Sequence, residues 1–304
     1  HALVRRQRQM CIRDRNLRRQ HLQSYVDRFR YKADKAKQAQ SRLKMLAKME
    51  PISISSETTF TKFDFPQPEE LSPPIVNIQN ASVGYEEKTV LSDINLRIDQ
   101  DDRIAILGQN GEGKSTLSKL IANKLKPHVG KIIHSNKLRI GYFAQHQLDE
   151  LTLNETPMGH VQRERPSEKQ GQIRARLDGF GISVEQADIR VKSLSGGQKA
   201  RLSLLLASLD APHLLILDEP TNHLDIESRE ALVEALTKYS GAVIIVSHDI
   251  HLLSLVADRL WLAKNGTVKP YEYDLETYRK SLLSISSSKK PEQLKNPKTV
   301  RKSY

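Results

Sequence analysis

The chain has 304 residues, of which 38% are hydrophobic, and it carries a formal net charge of +12 and a single cysteine. This length and apolar content suit one large domain with an appendage, and a lone cysteine excludes a disulfide framework or a thiolate metal site. Apolar runs of about five to seven residues fall well below the ~20 that a membrane-spanning helix needs. With no visible signal peptide, these features predict a cytoplasmic protein that does not enter a membrane.

The positive charge is concentrated at the two ends of the chain. Residues 1–50 hold 15 Lys and Arg against 4 Asp and Glu, and residues 281–304 hold 6 against 1. Residues 51–280 hold 27 against 31, so the middle of the chain is mildly acidic. Basic helices bind polyanions by releasing counterions, although a solvated helix face is the alternative explanation of such charge.

Residues 1–16 are interpreted as a non-native or artefactual start. The run Arg6–Arg15 resembles a translated sequencing-library adapter, and it contains Cys11, the single cysteine. A segment of this kind is excluded from fold reasoning in the same way as a fusion scar. A native basic arm is the alternative.

Residues 17–50 are predicted to form one long basic helix. Their apolar residues recur at helical spacing and suit a coiled-coil partner. These residues are Tyr25, Phe29, Ala36, Leu43 and Ala47. Pro51 ends the helix, because proline lacks an amide proton and clashes with the preceding turn. Residues 51–74, rich in Ser, Thr and Pro, are predicted to be a strap or linker.

A domain is predicted over residues 75–285, and it begins with strand-like runs within Ile75–Ile98 that favour a small antiparallel sheet. The apolar strand Arg103–Leu107 then leads into a glycine-rich loop, and residues 116–122 behind the loop have helical spacing. Alternating strands and helices predict a mainly parallel sheet covered by helices. The charge-rich residues 149–190 are predicted to be a helical subdomain.

The glycine-rich loop has the pattern of a phosphate-binding loop: Gly, four residues of any kind, Gly, Lys, and Ser or Thr. Glycines let the backbone aim its N–H groups at phosphates, and the following helix N-terminus adds a positive partial charge. An ordinary glycine-rich turn is the alternative. The predicted nucleotide-binding residues here are Gly108, Gln109, Asn110, Gly111, Glu112, Gly113, Lys114, Ser115 and Thr116.

Three side chains of this loop have specific expectations. Lys114 is expected to reach the β- and γ-phosphates, and the Ser115 hydroxyl is expected to bind Mg²⁺. Glu112 is expected to point to solvent, because a carboxylate near a triphosphate is mildly repulsive.

Two acids follow a second apolar strand, His213–Leu217. Catalytic groups gather at the carboxyl ends of strands in open α/β sheets. Asp218 is therefore placed to hold Mg²⁺, directly or through water, and Glu219 is suited to polarise the attacking water. A helix cap is the alternative explanation of two adjacent acids.

A third strand, Ala242–Val246, leads into Ser247-His248-Asp249. His248 is expected to donate to the γ-phosphate and to orient the attacking water or Glu219. A structural histidine is the alternative.

The end of the chain is predicted to hold a hairpin around Asn265-Gly266, a favoured turn pair, and a last helix over Asp274–Leu283. The residues from 284 onward, rich in Ser, Lys and Pro, are predicted to be disordered. The basic disordered tail is assigned to residues 286–304.

Taken in order, the phosphate loop, Gln145, Leu194–Gln198, Leu214–Pro220 and Ser247–Asp249 resemble the motif set of the ATP-binding-cassette (ABC) ATPases. The resemblance implies an α/β P-loop NTPase of ABC type, with a mainly parallel sheet core, a small antiparallel β subdomain and a helical subdomain. It also implies ATP and Mg²⁺ as cofactors.

The same resemblance assigns further roles. Gln145 would complete the Mg²⁺ and water contacts, so that the catalytic residues are Glu219, His248, Gln145 and Lys114, and the Mg²⁺ ligands are Ser115, Gln145 and Asp218. Tyr85 would stack on the adenine, with a surface tyrosine at a strand end as the alternative. The signature residues Ser195, Gly196, Gly197 and Gln198 would act on the ATP of a second cassette.

The sequence contains one phosphate loop and one signature. Because in ABC ATPases each signature closes over the ATP of the other cassette, the chain is expected to need a second cassette. That cassette would come from an identical chain or from a part of the same gene product that is absent here.

Residues 25–42 resemble the interdomain linker of the ABC-F family, twin-cassette ATPases that act on the ribosome. Thr221–Asp225 and Gly141–Leu148 are typical of the same family. The resemblance covers residues 17–285, as the second half of the linker plus the second cassette. Gln109, Glu112 and Gln198 depart from residues that are common in the family.

The ABC-F resemblance implies the ribosome, tRNA and rRNA as partners. The expected RNA contacts are Arg28, Arg30, Lys32, Lys35, Lys37 and Arg42. The ATPase subunit of a membrane transporter has the same motifs and is the alternative function. A non-enzymatic scaffold with an inactive cassette is a third alternative, against which the intact Lys114, Asp218, Glu219 and His248 argue.

Overall fold

The structure is a computed structural model of the 304-residue chain. It describes residues 15, 16, 18, 19, 22–24, 26, 27, 36–47, 49, 63–144 and 151–288. The chain divides into two compact units, His1–Tyr271 and Glu272–Tyr304.

Strands and helices alternate through most of the first unit. In chain order, the strands are β1 (Val76–Tyr85), β2 (Lys88–Ile98), β3 (Arg103–Leu107), β4 (Val129–His134), β5 (Ile140–Phe143), β6 (Leu214–Asp218), β7 (Ala242–Val246), β8 (Arg259–Lys264) and β9 (Thr267–Tyr271). The helices are α1 (Ala36–Ala47), α2 (Lys114–Ile121), α3 (Pro157–Glu164), α4 (Gln170–Asp178), α5 (Val184–Ala187), α6 (Gly196–Ser208), α7 (Ile226–Lys238), α8 (Ile250–Val256) and, in the second unit, α9 (Leu275–Ser288).

The central sheet has the order β5-β6-β7-β3-β8-β9. Its first five strands pair in parallel, and β9 pairs antiparallel with β8 across the Asn265-Gly266 turn. Every residue of β3, β6 and β7 is buried. Such continuous apolar strands belong to a parallel sheet with helices on both faces. The predicted α/β class, the parallel sheet and the hairpin are therefore confirmed.

A smaller antiparallel sheet has the order β2-β1-β4. The sequence predicted it from the region of β1 and β2, but it did not predict β4. All six positions of β4 are exposed or intermediate, with Val129 63% and Ile133 46% exposed. An edge strand with little burial leaves a weak hydrophobic pattern, which explains why β4 was missed.

The helical subdomain comprises α3, α4 and α5, as the sequence predicted, and a short 3₁₀ turn leads from it into α6. Two aromatic residues of the preceding strap anchor the subdomain. The rings of Phe63 and Phe65 lie 5.4 Å and 5.6 Å from that of Phe180, and Phe65 also contacts Tyr239. The strap is therefore packed onto the domain from Phe63 onward.

The second unit contains α9. Asp274 begins the helix by accepting a hydrogen bond from the Thr277 backbone N–H at 2.7 Å. The predicted helix ended at Leu283, whereas α9 continues through Ser288. Residues 284–288 are therefore helical and not disordered, because serine only mildly disfavours a helix that is already formed, and the first proline is Pro291. Residues 289–304 lie outside the described residues.

In the N-terminal segment, α1 packs by a face that differs from the predicted one. Ala39 is buried, and Arg42 and Leu46 are partly buried on the same side, at spacings of three and four residues. Leu43 of the predicted apolar stripe is 50% exposed. Residues 28–35 lie outside the described residues, so the single helix over residues 17–50 stays a prediction. Among the described helices, none is long and apolar enough to cross a membrane.

Arg42 was predicted to contact RNA, but the structure gives it an intramolecular partner. Its Nη1 donates to Oδ1 of Asp258, which lies between α8 and β8. The Arg42 side chain is 20% exposed and that of Asp258 only 6%. A guanidinium that compensates a buried carboxylate is held in place, so Arg42 joins α1 to the domain.

Breaking this ion pair should destabilise the protein. Arg42→Gln leaves the buried Asp258 carboxylate without its cation, which should cost about 1–3 kcal/mol and lower the melting temperature by several degrees. Lys44→Gln removes an exposed cation from the same helix and should change stability by less than about 0.5 kcal/mol. Urea denaturation of both variants, of Asp258→Asn and of the double variant would give the coupling energy. Equal effects of Arg42→Gln and Lys44→Gln would contradict the assignment.

Candidate functional site

The motif residues meet at one edge of the central sheet. The neighbouring parallel strands β6, β7 and β3 end in Asp218-Glu219, Ser247-His248 and the phosphate loop. Their register sets Asp218 of β6 beside Val246 of β7, and Val246 beside Ile106 of β3. The carboxyl ends of the three strands are therefore level, which is where open α/β sheets place their ligands. Gln145 stands two positions after Phe143, the last residue of β5, but it lies outside the described residues.

The phosphate loop depends on glycine at two close approaches. A Cβ at Gly108, where φ is +148°, would lie 2.5 Å from the carbonyl oxygen of Ala263. A Cβ at Gly113, where φ is +87°, would lie 2.8 Å from a methyl group of Leu91. Because β8 and β2 press on the loop from these sides, no larger residue fits without displacing it.

Lys114 begins α2 and lies within the curve of the loop. Its Nζ donates to the carbonyl oxygens of Gly108 at 2.9 Å and Gln109 at 3.0 Å. Burial lowers the pKa of Lys114, while the nearby carboxylates of Glu219, Asp218 and Glu112 act to raise it. A buried cation at a helix N-terminus, with the backbone N–H groups of the loop around it, is an arrangement that can bind phosphate groups.

The two acids that follow β6 differ in environment. Asp218 is the last residue of the strand and is 8% exposed. Glu219 has a φ of +53°, a conformation that non-glycine residues rarely adopt, and its N–H donates to the Val246 carbonyl oxygen at 2.8 Å. Left-handed backbone at a single residue re-aims its side chain and is frequent at functional sites.

One of the two carboxylate oxygens of Glu219 lacks a hydrogen bond among the described residues. This oxygen, Oε1, is also buried. Burial raises the pKa of Glu219, and the neighbouring Asp218 acts in the same direction, whereas His248 and Lys114 act to lower it. An underhydrated carboxylate with a raised pKa is a stronger base than an ordinary surface glutamate, which suits it to accept a proton from water.

His248 connects the acid to the phosphate loop. Its Nε2 lies 3.0 Å from Oδ1 of Asn110 and 3.6 Å from Oε1 of Glu219. The bond to Asn110 requires a proton on Nε2. The side chain is 62% exposed, so it can reach a ligand in the loop. Asp249 instead caps α8 by accepting from the Leu252 N–H at 3.0 Å, so the third residue of the motif holds the helix.

A magnesium ion fits this chemistry when a nucleotide supplies the remaining ligands. Ser115 is exposed in the first turn of α2, and Asp218 provides a carboxylate at the neighbouring strand end. Within the described ranges, no cluster of three or more His, Cys, Asp or Glu could hold a metal alone. Mg²⁺ is commonly bound by one or two protein oxygens together with phosphates and water, so no such cluster is required.

Tyr85 ends β1 with a ring that is 44% exposed. Lys119 of α2 lies beside it, with Nζ 3.4 Å from the hydroxyl and 5.4 Å from the ring centre. The tyrosine is thus next to the helix that follows the phosphate loop and has a free area of ring surface.

The signature forms a capped helix N-terminus. The Ser195 hydroxyl accepts from the Gln198 N–H at 3.2 Å, and the Gln198 side chain accepts from the Ser195 N–H at 2.8 Å. Ser195 and Gly196 are exposed. A Cβ at Gly197 would lie 3.1 Å from the His223 carbonyl oxygen, so the Thr221–Asp225 segment packs directly against the signature.

Sequence reasoning missed three contacts around the site. His223 was noted only as part of a family motif, and its proximity to Gly197 depends on how α6 and β6 pack. Asn110 was assigned to the nucleotide, but its contact with His248 spans 138 positions and has no local signal. Glu112 was expected to point to solvent; it is partly exposed, and its Oε2 also accepts from the Asn265 N–H at 2.8 Å, which the sequence did not predict.

The proposed RNA contacts are only partly described. The residues outside the described ranges are Arg28, Arg30, Lys32 and Lys35. Lys37 lies in α1, but its side chain is not among those that the structure describes. Arg42 has the partner given above.

Comparison with known proteins identifies the class. A family model described as ABC transporter matches residues 91–222, and a second ABC transporter model, for an extension of that domain, matches residues 4–65. The dimeric structure of the bacterial cassette MJ0796 matches with a TM-score of 0.57 and 24% identity, covering 64% of this chain and 96% of that one. The chain therefore belongs to the ABC transporter family and contains an ABC ATPase domain.

Curated relatives place the chain with the ABC-F proteins. It is 46% identical over 265 residues to the probable ATP-binding protein YheS of Escherichia coli strain K12, covering 87% of this chain and 42% of YheS. It is 38% identical over 268 residues to ABC transporter F family member 3 of Arabidopsis thaliana, covering 88% of this chain and 38% of that protein. The chain thus spans less than half the length of these relatives. Because the extension match begins at residue 4, it includes residues that were interpreted as artefactual, and that interpretation stays a prediction.

The raised pKa of Glu219 predicts a stability effect. A carboxyl whose folded pKa lies above its unfolded value is costly when ionised, so the cost is present at neutral pH and disappears as the pH falls through the folded pKa. Glu219→Gln cannot ionise and should therefore melt at a higher temperature than the wild type at pH 7.5. The difference should shrink towards pH 5.

Thermal melts without nucleotide across pH 5–8 would measure this difference, with Glu87→Gln as the control because Glu87 is exposed in the turn after β1. A Glu219→Gln variant that is less stable than the wild type at pH 7.5 would show that the carboxylate stabilises the fold.

Proposed function

We propose that this domain binds ATP and hydrolyses it to ADP and phosphate. The observation that carries the proposal is the meeting of Lys114, Asp218, Glu219 and His248 at the level ends of three adjacent strands. Each residue brings a different chemical group to one place: a cation, a metal ligand, a base and a hydrogen-bond donor. Phosphoryl transfer needs these groups in fixed positions more than it needs covalent chemistry.

In the proposed mechanism, Lys114 binds the β- and γ-phosphates together with the N–H groups of the loop. Ser115 and Asp218 would hold Mg²⁺, which would supply positive charge to neutralise the phosphates. Glu219 accepts a proton from the attacking water, and the Nε2–H of His248, which bonds to Asn110 in this structure, turns to donate to the γ-phosphate. The buried Oε1 of Glu219 has no hydrogen bond among the described residues and lies 3.6 Å from Nε2 of His248, so the proposed base and the proposed donor adjoin. Gln145 is proposed to complete the water and Mg²⁺ contacts, and Tyr85 to stack on the adenine.

We propose that the signature acts on the ATP of a second cassette. Ser195 and Gly196 are exposed at a capped helix N-terminus, which can bind an anion that arrives from outside the domain. The related MJ0796 cassette is a dimer, which supports the proposal. The partner would be an identical chain or another cassette of the same protein.

We further propose a cytoplasmic, ribosome-associated role in which the linker helix contacts tRNA and rRNA. The support is the similarity to ABC-F proteins and the excess of Lys and Arg over residues 1–50. The proposed organisation is an artefactual start (1–16), a linker helix (17–50), a strap (51–74), the ABC domain (75–285) and a basic tail, which on the evidence of α9 begins after Ser288.

Removing the proposed base tests hydrolysis. Glu219→Gln should bind Mg-ATP but hydrolyse it more slowly by ~10² or more, because the positioned base is lost. Single-turnover hydrolysis with excess protein measures the chemical step directly. Lys114→Ala is the matched comparison and should lose binding itself. Single-turnover hydrolysis by Glu219→Gln at the wild-type rate would contradict the role of Glu219.

The ribosome proposal predicts that removing basic residues of the linker weakens ribosome binding and changes its dependence on salt. Replacing Arg28, Arg30, Lys32 and Lys35 with Gln should weaken ribosome binding and reduce the slope of log K against log salt by about three, since each neutralised phosphate contributes roughly 0.7–0.9. ATP binding by the same variant should be unchanged. Sedimentation with ribosomes across a salt series makes the measurement.

A control variant separates the linker from general charge. Lys131, Lys137, Lys169 and Lys269 are exposed cations of the domain, and their replacement with Gln changes the net charge equally. Equal losses in the two variants would contradict a linker-specific contact. Fractionation with membranes and not with ribosomes would favour the transporter alternative.

A further inference from the structure

Glu112 lies inside the phosphate loop, yet its side chain binds a different part of the fold. Its Oε2 accepts a hydrogen bond from the Asn265 N–H at 2.8 Å. Asn265 belongs to the turn between β8 and β9, 153 positions away. A carboxylate at this position therefore fastens the loop to the hairpin.

The turn offers a backbone donor that lies outside the strand ladder. Asn265 and Gly266 have φ values of +52° and +72°, as a two-residue hairpin turn with positive φ at both central positions requires. Lys264 and Thr267 form the closing pair of the ladder. The N–H of Asn265, the first turn residue, makes no hydrogen bond of that ladder, and it donates to Glu112 instead. The Gly266 carbonyl oxygen accepts from the Ser92 N–H at 2.8 Å, which fixes the other side of the turn to β2.

The loop is thus fastened to β8 and its turn at two points. Near its start, Gly108 packs so closely on Ala263 of β8 that a Cβ would come within 2.5 Å of the Ala263 carbonyl oxygen. Near its end, Glu112 binds the turn. Glu112 itself stands between Gly111 and Gly113, whose φ values of +86° and +87° are conformations that only glycine adopts easily. A tether at Glu112 limits the freedom that these two glycines provide.

The same carboxylate opposes the binding of an anion. It is one of the acids that act electrostatically on Lys114, so it lies within the field of the phosphate site. A triphosphate bound by Lys114 and the loop N–H groups would be repelled by this charge. Partial exposure and salt weaken the repulsion but do not remove it.

We propose that Glu112 is a positioning residue with two opposed effects: it tethers the phosphate loop to the β8–β9 turn, and its charge weakens nucleotide binding and speeds nucleotide exchange. The proposal rests on ATP binding at this loop.

Two substitutions separate the tether from the charge. Glu112→Gln keeps a side-chain oxygen that can accept from Asn265 but removes the charge. We expect it to bind a fluorescent ATP analogue in Mg²⁺ about 3- to 10-fold more tightly than the wild type at 50 mM KCl, mainly through slower dissociation. The difference should largely vanish at 0.5 M KCl, where screening is strong. The melting temperature without nucleotide should stay within about 1 °C, because the hydrogen bond is retained.

Glu112→Ala removes both the charge and the tether. Its melting temperature should be lower than that of Glu112→Gln by about 2 °C or more. Its affinity should be weaker than that of Glu112→Gln at every salt concentration, because the loop must be ordered on binding. Glu185→Gln, in the exposed first turn of α5, is the charge control and should match the wild type.

The outcomes separate this proposal from the proposed function. If the wild type binds the analogue and Glu112→Gln binds it with the same affinity at low salt, the charge effect is overturned. If Glu112→Ala matches Glu112→Gln in both affinity and melting temperature, the tether is overturned. If the wild type itself fails to bind the analogue, while Lys114→Ala behaves identically, the proposed ATP binding fails instead.

Discussion

The candidate site depends on the register in which β6, β7 and β3 pair. Because Asp218 lies beside Val246 and Val246 beside Ile106, the three strands end at the same level. A parallel sheet satisfies its backbone groups between strands and buries both faces, so the first residues beyond it are where polar side chains can converge. A shift of register by one residue would turn Asp218 to the other face of the sheet and separate Glu219 from His248.

The charges at this edge are balanced against one another. Lys114 and Glu219 each pay a desolvation cost, seen as a lowered pKa for the lysine and a raised pKa for the acid, and each reduces the cost of the other. Glu219 keeps a buried oxygen without a hydrogen bond and a left-handed backbone. Such features destabilise a fold, and proteins retain them where chemistry needs an underhydrated, pre-aimed group. A fully satisfied Glu219 would be a weaker base.

The sequence predicted what short-range patterns encode. The strand Ala242–Val246 and the strand–loop–helix arrangement around residues 108–116 were predicted correctly because apolar runs and glycine spacing are local signals. It failed at β4, whose residues are largely exposed, and at the packing face of α1, where Ala39 and not Leu43 is buried. It also could not find the Glu112–Asn265 or Arg42–Asp258 contacts, since both join positions more than 150 residues apart. Distant polar pairs follow from the tertiary fold and leave no periodicity behind.

The Arg42–Asp258 contact has a consequence for how the linker and the nucleotide site are related. The Asp258 N–H donates to the carbonyl oxygen of Arg103, the first residue of β3, and the phosphate loop begins after Leu107, its last residue. The linker contact and the loop therefore lie at opposite ends of one fully buried strand, roughly 15–18 Å apart at ~3.3 Å per residue. Close-packed buried strands shift as rigid units and do not stretch. A displacement of β3 along its own axis would thus reach Asp258, and the ion pair with Arg42 joins Asp258 to α1.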